Sequence, residues 1–266
     1  MIPPEHDGEY VARMEDVLEV YQRPYDRTAP VVCMDEKSIQ LLKETRPSIA
    51  AAPGRPKRID YEYERNGTAN IFMFCEPMAG WRQTQVTERR TKSDWAKAVR
   101  DLLDGRYAEA SRVTLVLDNL NTHSIGSLYE ALPPAEARRL AQRLEIHYTP
   151  KHGSWLNIAE NELSALTRQC LSRRMGTIEQ MASELAAWDQ ARNRDGVRVD
   201  WRFSIEQARI KLRHVYPHHN FKVERGLAFE CGVDHHVAEE GNDEPVLGGF
   251  APIGHLPFLI GLLGIR

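Results

Sequence analysis

The sequence predicts an α/β domain, and three observations carry that reading. Two short apolar runs of β type, Val31-Val32-Cys33-Met34 and Val113-Thr114-Leu115-Val116-Leu117, each stop at an aspartate. Stretches of helical period stand between and after them, several opened by residues suited to capping. Apolar residues make up 42% of the 266-residue chain and charged residues 27%, enough for a real core under a polar surface.

The elements follow in order. Residues 10–22 place Val11, Met14, Val17, Leu18 and Tyr21 on one face, the pattern of an amphipathic helix. Pro24 and Pro30 bracket a turn, and the first apolar strand then ends abruptly at Asp35-Glu36-Lys37. Residues 45–58, rich in Pro and Ala, read as a loop. Tyr61 to Glu64 and Ala69 to Cys75 read as two strands of a hairpin turning at Asn66-Gly67. Trp81 to Thr87 is a third strand, and Ser93 is the expected N-cap of a helix from Asp94 to about Leu103. The strand Val113–Leu117 ends at Asp118. Pro133-Pro134 starts a helix to about Leu144, and Ile146 to Tyr148 is a brief strand. After the loop Thr149–Ser154 a helix is expected from about Trp155 to Arg173. Thr177 and Ser204 cap two more, reaching about Asn193 and His214. The expected division is an N-terminal linker and helix (1–29), a main α/β domain (30–217) and an atypical C-terminal tail (218–266), with residues 232–250 expected to lack order.

Composition excludes some classes. No segment reaches the roughly 18 apolar residues of a membrane helix, and no signal peptide is read at Met1-Ile2-Pro3-Pro4. Cys33, Cys75, Cys170 and Cys231 are scattered, which argues against a disulfide framework or a thiolate zinc site and fits a reducing cytoplasm. A net charge of −3 lends no support to nucleic-acid binding. Basic clusters at Arg55–Arg58, Arg89-Arg90-Thr91-Lys92, Arg168–Arg174 and Arg209–Arg213 gain meaning only around a site, since such runs are mostly solvated faces.

The strand-terminal acids are the candidates for chemistry. Ligands sit at the carboxyl ends of strands in α/β domains, although an aspartate there also serves as a turn or helix cap. A third acid, Glu160, lies early in the helix after a polar and basic loop. Carboxylates gathered at one point repel each other. Hard divalent cations relieve that repulsion because they prefer oxygen ligands. Two such ions suit phosphodiester cleavage.

The residues also carry a resemblance. Met34-Asp35-Glu36-Lys37, Leu117-Asp118-Asn119-Leu120-Asn121-Thr122-His123 and Thr149-Pro150-Lys151-His152-Gly153-Ser154-Trp155-Leu156-Asn157-Ile158-Ala159-Glu160 resemble, in order, the three signature blocks of DDE transposases. The branch is the bacterial insertion-sequence family related to the eukaryotic mariner elements. Further matches at Asp60–Gly67, Thr87–Thr91, Trp201–Phe203 and Ala208–Arg213 extend it over about residues 1–217. The resemblance implies a ribonuclease-H-like mixed sheet flanked by helices. It implies Asp35, Asp118 and Glu160 as the catalytic, metal-holding acids, with two Mg²⁺ or Mn²⁺ ions as cofactor. It also implies DNA as partner, both element ends and target, and a homodimer in the active complex of a bacterial, nucleoid-associated cytoplasmic enzyme. The chemistry implied is hydrolysis at an element end followed by transfer of the freed 3′-hydroxyl to target DNA.

Neighbouring residues are sorted by geometry. Glu162 sits about 200° around the helix from Glu160 and is set aside. Glu36 is set aside because strand neighbours alternate faces. His123 admits two readings, a contact to phosphate or water and a helix cap. Trp155 and Leu156 read as core anchors. Asn157 shares a face with Glu160 at i, i+3 and is a candidate DNA or water contact. Arg89, Arg90, Lys151 and His152 are the candidate phosphate contacts. His218-His219 and His235-His236 fall in the tail, where a metal role is not favoured. Members of the family carry helix-turn-helix modules ahead of the catalytic domain, and none is read here. The alternative function is therefore a catalytically idle, truncated transposase acting as assembly partner or inhibitor.

Overall fold

A computed structural model describes residues 7–56, 58 and 60–217. The expected tail, with its two histidine pairs, lies outside the described residues. Five strands form one sheet: β1 (Val31–Glu44), β2 (Tyr63–Glu76), β3 (Trp81–Thr87), β4 (Val113–Leu117) and β5 (Leu144–Tyr148). Their order is β3-β2-β1-β4-β5. β1 pairs antiparallel with β2, and β2 with β3, while β4 runs parallel to both β1 and β5. The sheet is mixed, as the resemblance implies.

Alternation along the strands builds a core on each face. Cys33, Ile71, Met73, Cys75 and Val116 face one side. There they meet α1 (Gly8–Gln22), α5 (Ile158–Gln169), α6 (Ile178–Asp195) and α7 (Ile205–Lys211). Val32, Met34, Phe72, Phe74, Leu115 and Leu117 face the other, against α2 (Lys92–Asp104), α3 (Ile125–Ala131) and α4 (Pro134–Gln142). The leading helix α1 is capped by Asp7, which accepts from the Glu9 and Tyr10 backbone N–H groups, and it buries Tyr10, Met14, Val17 and Leu18.

Several local expectations are corrected. β1 does not stop at Asp35 but runs on to Glu44, because backbone pairing with β2 continues past the apolar core. The two short strands around Asn66-Gly67 are one strand, and the hairpin lies between β1 and β2. Asn66 and Gly67 stand opposite the single residue Leu41, where the register shifts. Gly67 has φ +87°, so it supplies a bulge rather than a turn. The cap of α2 is Thr91, in a reciprocal capping box with Asp94, rather than Ser93. The short helix after His123, α3, is capped by Ser124 rather than by His123. The helix expected from Trp155 is split: a 3₁₀ turn spans Ser154–Leu156, and α5 begins after Asn157 and ends at Gln169.

Candidate active site

The register of the parallel strands sets two of the acids. Cys33 on β1 pairs with Val116 on β4. Asp35 lies two residues beyond Cys33, and Asp118 two beyond Val116, so both leave the same edge and the same face of neighbouring strands. Adjacent strands lie about 4.8 Å apart, which makes these acids neighbours. Asp35 is buried, whereas the Asp118 side chain is 40% exposed.

Glu160 arrives from the helical layer on that face. Asn157 is the N-cap of α5 and accepts from the Ala159 backbone N–H at 3.1 Å. Its amide nitrogen donates to the carbonyl of Met34, at 2.9 Å, one residue before Asp35. This pins the first turn of α5 to β1 and places Glu160 in that turn. Asn157 is buried, bonds to the Met34 carbonyl and the Ala159 N–H, and lines the cavity that Asp118 and Glu160 also line. α1 supports the same segment: Tyr21 donates to the Leu156 carbonyl at 2.6 Å and Trp155 to the Tyr10 hydroxyl at 3.0 Å. Leu156 is fully buried and Trp155 packs on Trp201 and Phe203. Glu162, two residues on, is turned into the interior against Arg82 (2.7 Å) and Arg192 (3.2 Å).

Electrostatics tie the acids together. Burial pushes the Asp35 carboxyl up to about 7; the Glu36 backbone N–H on its Oδ1 opposes this, and the charges of Glu160, Asp118 and Glu36 add to it. Burial also raises Glu160, and the Asp118 charge adds to that. Asp118 and Glu160 line one cavity of about 460 Å³, with Lys151 and His152 at its wall. Among the described residues no three His, Cys, Asp or Glu side chains are gathered tightly enough to hold a metal ion as they stand. The physical reason lies in the side chains: one Asp35 oxygen accepts from Glu36 N–H and one Asp118 oxygen from His123. The donor set itself fits a hard divalent cation: the three acids supply oxygen ligands, and the raised carboxyls of Asp35 and Glu160 mark a shortage of positive charge around them.

The sequence reading passed over Glu36 as a participant. It leaves β1 on the face opposite Asp35, where the fully buried His123 comes back after β4. His123 Nε2–H donates to Glu36 Oε2 at 2.8 Å and Nδ1–H to Asp118 Oδ1 at 2.7 Å. Burial alone would lower the imidazole, but these two carboxylates carry it up to about 9. His123 also lies against Trp95, with ring centroids 5.9 Å apart. Neither reading of His123 from sequence describes this bridge; the cap of α3 is Ser124. The available signal was the placement of a glutamate directly after the first aspartate and a histidine five residues after the second. Of the candidate phosphate contacts, Arg89, Lys151 and His152 are exposed. Arg90 is exposed too, and reaches Glu36 Oε1 at 3.4 Å. His152 sits in the left-handed region, φ +65°.

The sheet is mixed with helices on both faces, Asp35 lies within β1, Asp118 directly follows β4, and Glu160 comes from a flanking helix. The sequence profile of the DDE superfamily endonuclease family matches residues 30–182. The chain belongs to that family. No curated protein sequence matches it significantly. Among solved structures, the Mos1 mariner paired end complex with Mg is similar at 18% identity and TM-score 0.49, over 82% of this chain and 66% of that one. The paired end complex with Mn is similar at 18% and TM-score 0.47, over 72% and 58%. The catalytic domain of the Mos1 mariner transposase is similar at 16% and TM-score 0.47, over 72% and 86%. The chain thus spans less than two thirds of the length of the paired-end transposase chain with Mn.

Proposed function

We propose that this chain is the catalytic domain of a DNA transposase, hydrolysing phosphodiesters at element ends and transferring the strand with Mg²⁺ or Mn²⁺. The observation that carries the reading is the register of β1 and β4, which sets Asp35 beside Asp118 on the face where α5 delivers Glu160. These three carboxylates would hold the cations, two in number on this reading. Bound there, the ions would supply Lewis-acid activation of the attacking oxygen and charge stabilisation at the leaving oxygen. The chain's own residues do the rest. Asn157 fixes the helix that carries Glu160 against β1. Lys151 and His152 line the cavity, and Arg89 and Arg90 are exposed; they are suited to phosphate oxygens of the DNA backbone. Two copies acting together on paired ends, in the compartment that holds the DNA, complete the proposal. No helix among the described residues is long and apolar enough to cross a membrane.

The test is cleavage of duplex DNA by the purified chain with Mg²⁺ or Mn²⁺, alongside Asp35→Asn, Asp118→Asn and Glu160→Gln. The parent should nick DNA only with the metal, and each variant should fold yet fall to background, since a neutral amide is a far poorer ligand for a hard cation. Parent-level cutting by Asp118→Asn overturns the assignment. Light scattering with and without DNA reads the pairing.

A further inference from the structure

Asp118, with its side chain 40% exposed, directly follows β4 where the chain leaves the sheet for a loop. A carboxylate there would normally sample several rotamers. Here it is held from the opposite face of the sheet. His123 returns beneath it, with 0% side-chain exposure, and donates to Oδ1 at 2.7 Å. The other ring nitrogen donates to Glu36 Oε2 at 2.8 Å, and the Glu36 side chain is only 3% exposed. Glu36 is itself held at its second oxygen by Arg90, at 3.4 Å. The imidazole lies against the Trp95 ring, and the Tyr148 hydroxyl holds the backbone of the same residue by donating to the His123 carbonyl at 2.7 Å. The ring therefore has almost no freedom, and the Asp118 carboxylate plane is set by it. One oxygen is committed to His123 and the other is left for the site.

We infer that Glu36 and His123 are positioning residues that act through Asp118, fixing the carboxylate so that its second oxygen meets a divalent cation shared with Asp35 and Glu160. The inference rests on the active-site reading of those three acids. It joins the two layers of the domain: Asp35 and Glu160 are placed by the α1 and α5 side, while Asp118 is oriented from the α2 and α3 side. The logic is that of a hydrogen-bonded partner that orients a metal ligand, with loss of the partner costing about tenfold to a hundredfold in metal affinity. Residues acting in one chain of contacts give non-additive losses.

The experiment measures Mn²⁺ affinity of the full chain without DNA, by electron paramagnetic resonance of free Mn²⁺, on samples whose folding is checked by circular dichroism and thermal melting. His123→Ala should weaken Mn²⁺ binding by about tenfold to a hundredfold. Glu36→Ala should do the same in part, and Glu36→Gln, which keeps an acceptor for the imidazole, should restore most of it. The double variant Glu36→Ala with His123→Ala should bind no more weakly than His123→Ala alone. A purely structural role would lower the melting temperature and leave the Mn²⁺ affinity of the folded protein untouched, and that result overturns the inference. Should His123→Ala fail to fold, the Glu36→Ala and Glu36→Gln pair carries the same test. Asp118→Asn separates the two levels. If it abolishes binding while the Glu36 and His123 variants bind as the parent does, only the positioning role fails. If it leaves binding unchanged, the active-site reading fails and this inference with it.

Discussion

Glu160 and Glu162 leave the same helix two residues apart and meet opposite surroundings. Glu162 turns into the protein beneath β3, where Arg82 and Arg192 hold it; although burial works the other way, these partners keep its carboxyl below the ordinary value of 4.5. Glu160 turns toward Asp118 and Asp35, and burial together with the Asp118 charge raises it. The acids are chemically the same, and the helix is the same. What differs is whether the fold has supplied the countercharge. A carboxylate neutralised by arginines is a fastening, and its removal costs stability. A carboxylate left among others of its kind is a cost to the fold, retained where a cation from outside completes the set.

The sharpest way to break this comparison is to remove each glutamate in turn. Glu162→Ala leaves Arg82, whose side chain is 1% exposed, without its anion. Breaking a buried pair on one side costs about 3–5 kcal/mol, so urea unfolding should show a loss of that order. Glu160→Ala, measured with chelator present, should leave stability unchanged or raise it, because it relieves repulsion. If Glu160→Ala destabilised the metal-free protein as much as Glu162→Ala does, the distinction between the two would collapse.

The pH profile sharpens the same contrast through its sign. Asp35 is raised from 3.8 to about 7 in the folded protein, so the native state binds more protons than the unfolded chain between those values. Its contribution is complete below 3.8 and is lost as pH rises through about 7. Glu162, held low, contributes above 4.5 and loses its contribution as pH falls through its folded value. His123, raised from 6.5 to about 9, acts in the same direction as Asp35 but only above 6.5. The metal-free melting temperature should therefore fall from pH 5 to pH 7 in the parent, and the fall should flatten in Asp35→Asn. Parallel profiles for the two proteins would contradict the elevated Asp35.

These cases also show what the sequence made legible. Asp35 and Asp118 stand out because an apolar run that stops at an acid marks a strand leaving the core. Glu160 and Glu162 separate by helical angle alone, and the structure turns them apart as that angle requires. The β1–β2 ribbon was not legible, because polar residues such as Ser38 and Gln40 stay in a strand through pairing with Asn70 and Thr68, partners distant in the chain. Asn66-Gly67 misled for a related reason: positive φ serves a tight turn and a bulge equally, and only the partner strand decides between them. The Glu36–His123 bond joins residues 87 apart, and alternation correctly placed Glu36 away from Asp35 without revealing what waits on the other face.

The smallest expected effect concerns the countercharge that DNA itself would meet. Arg89 and Arg90 are adjacent and exposed, yet Arg90 already shares its charge with Glu36. Arg89 should therefore contribute more to phosphate binding than Arg90. Contacts of this kind carry no base information, so Arg89→Ala should weaken binding to duplexes of unrelated sequence about equally. Each lost phosphate contact lowers the salt slope by about one. Arg90→Ala should change the slope less and, by freeing Oε1 of Glu36, should act mainly on the metal site. Fluorescence anisotropy over a salt series, with two unrelated duplexes, reads both. Equal slope changes from the two substitutions would show that the Glu36 contact does not hold Arg90 back from DNA. A strong preference of the parent for one duplex would show instead that this domain reads bases directly.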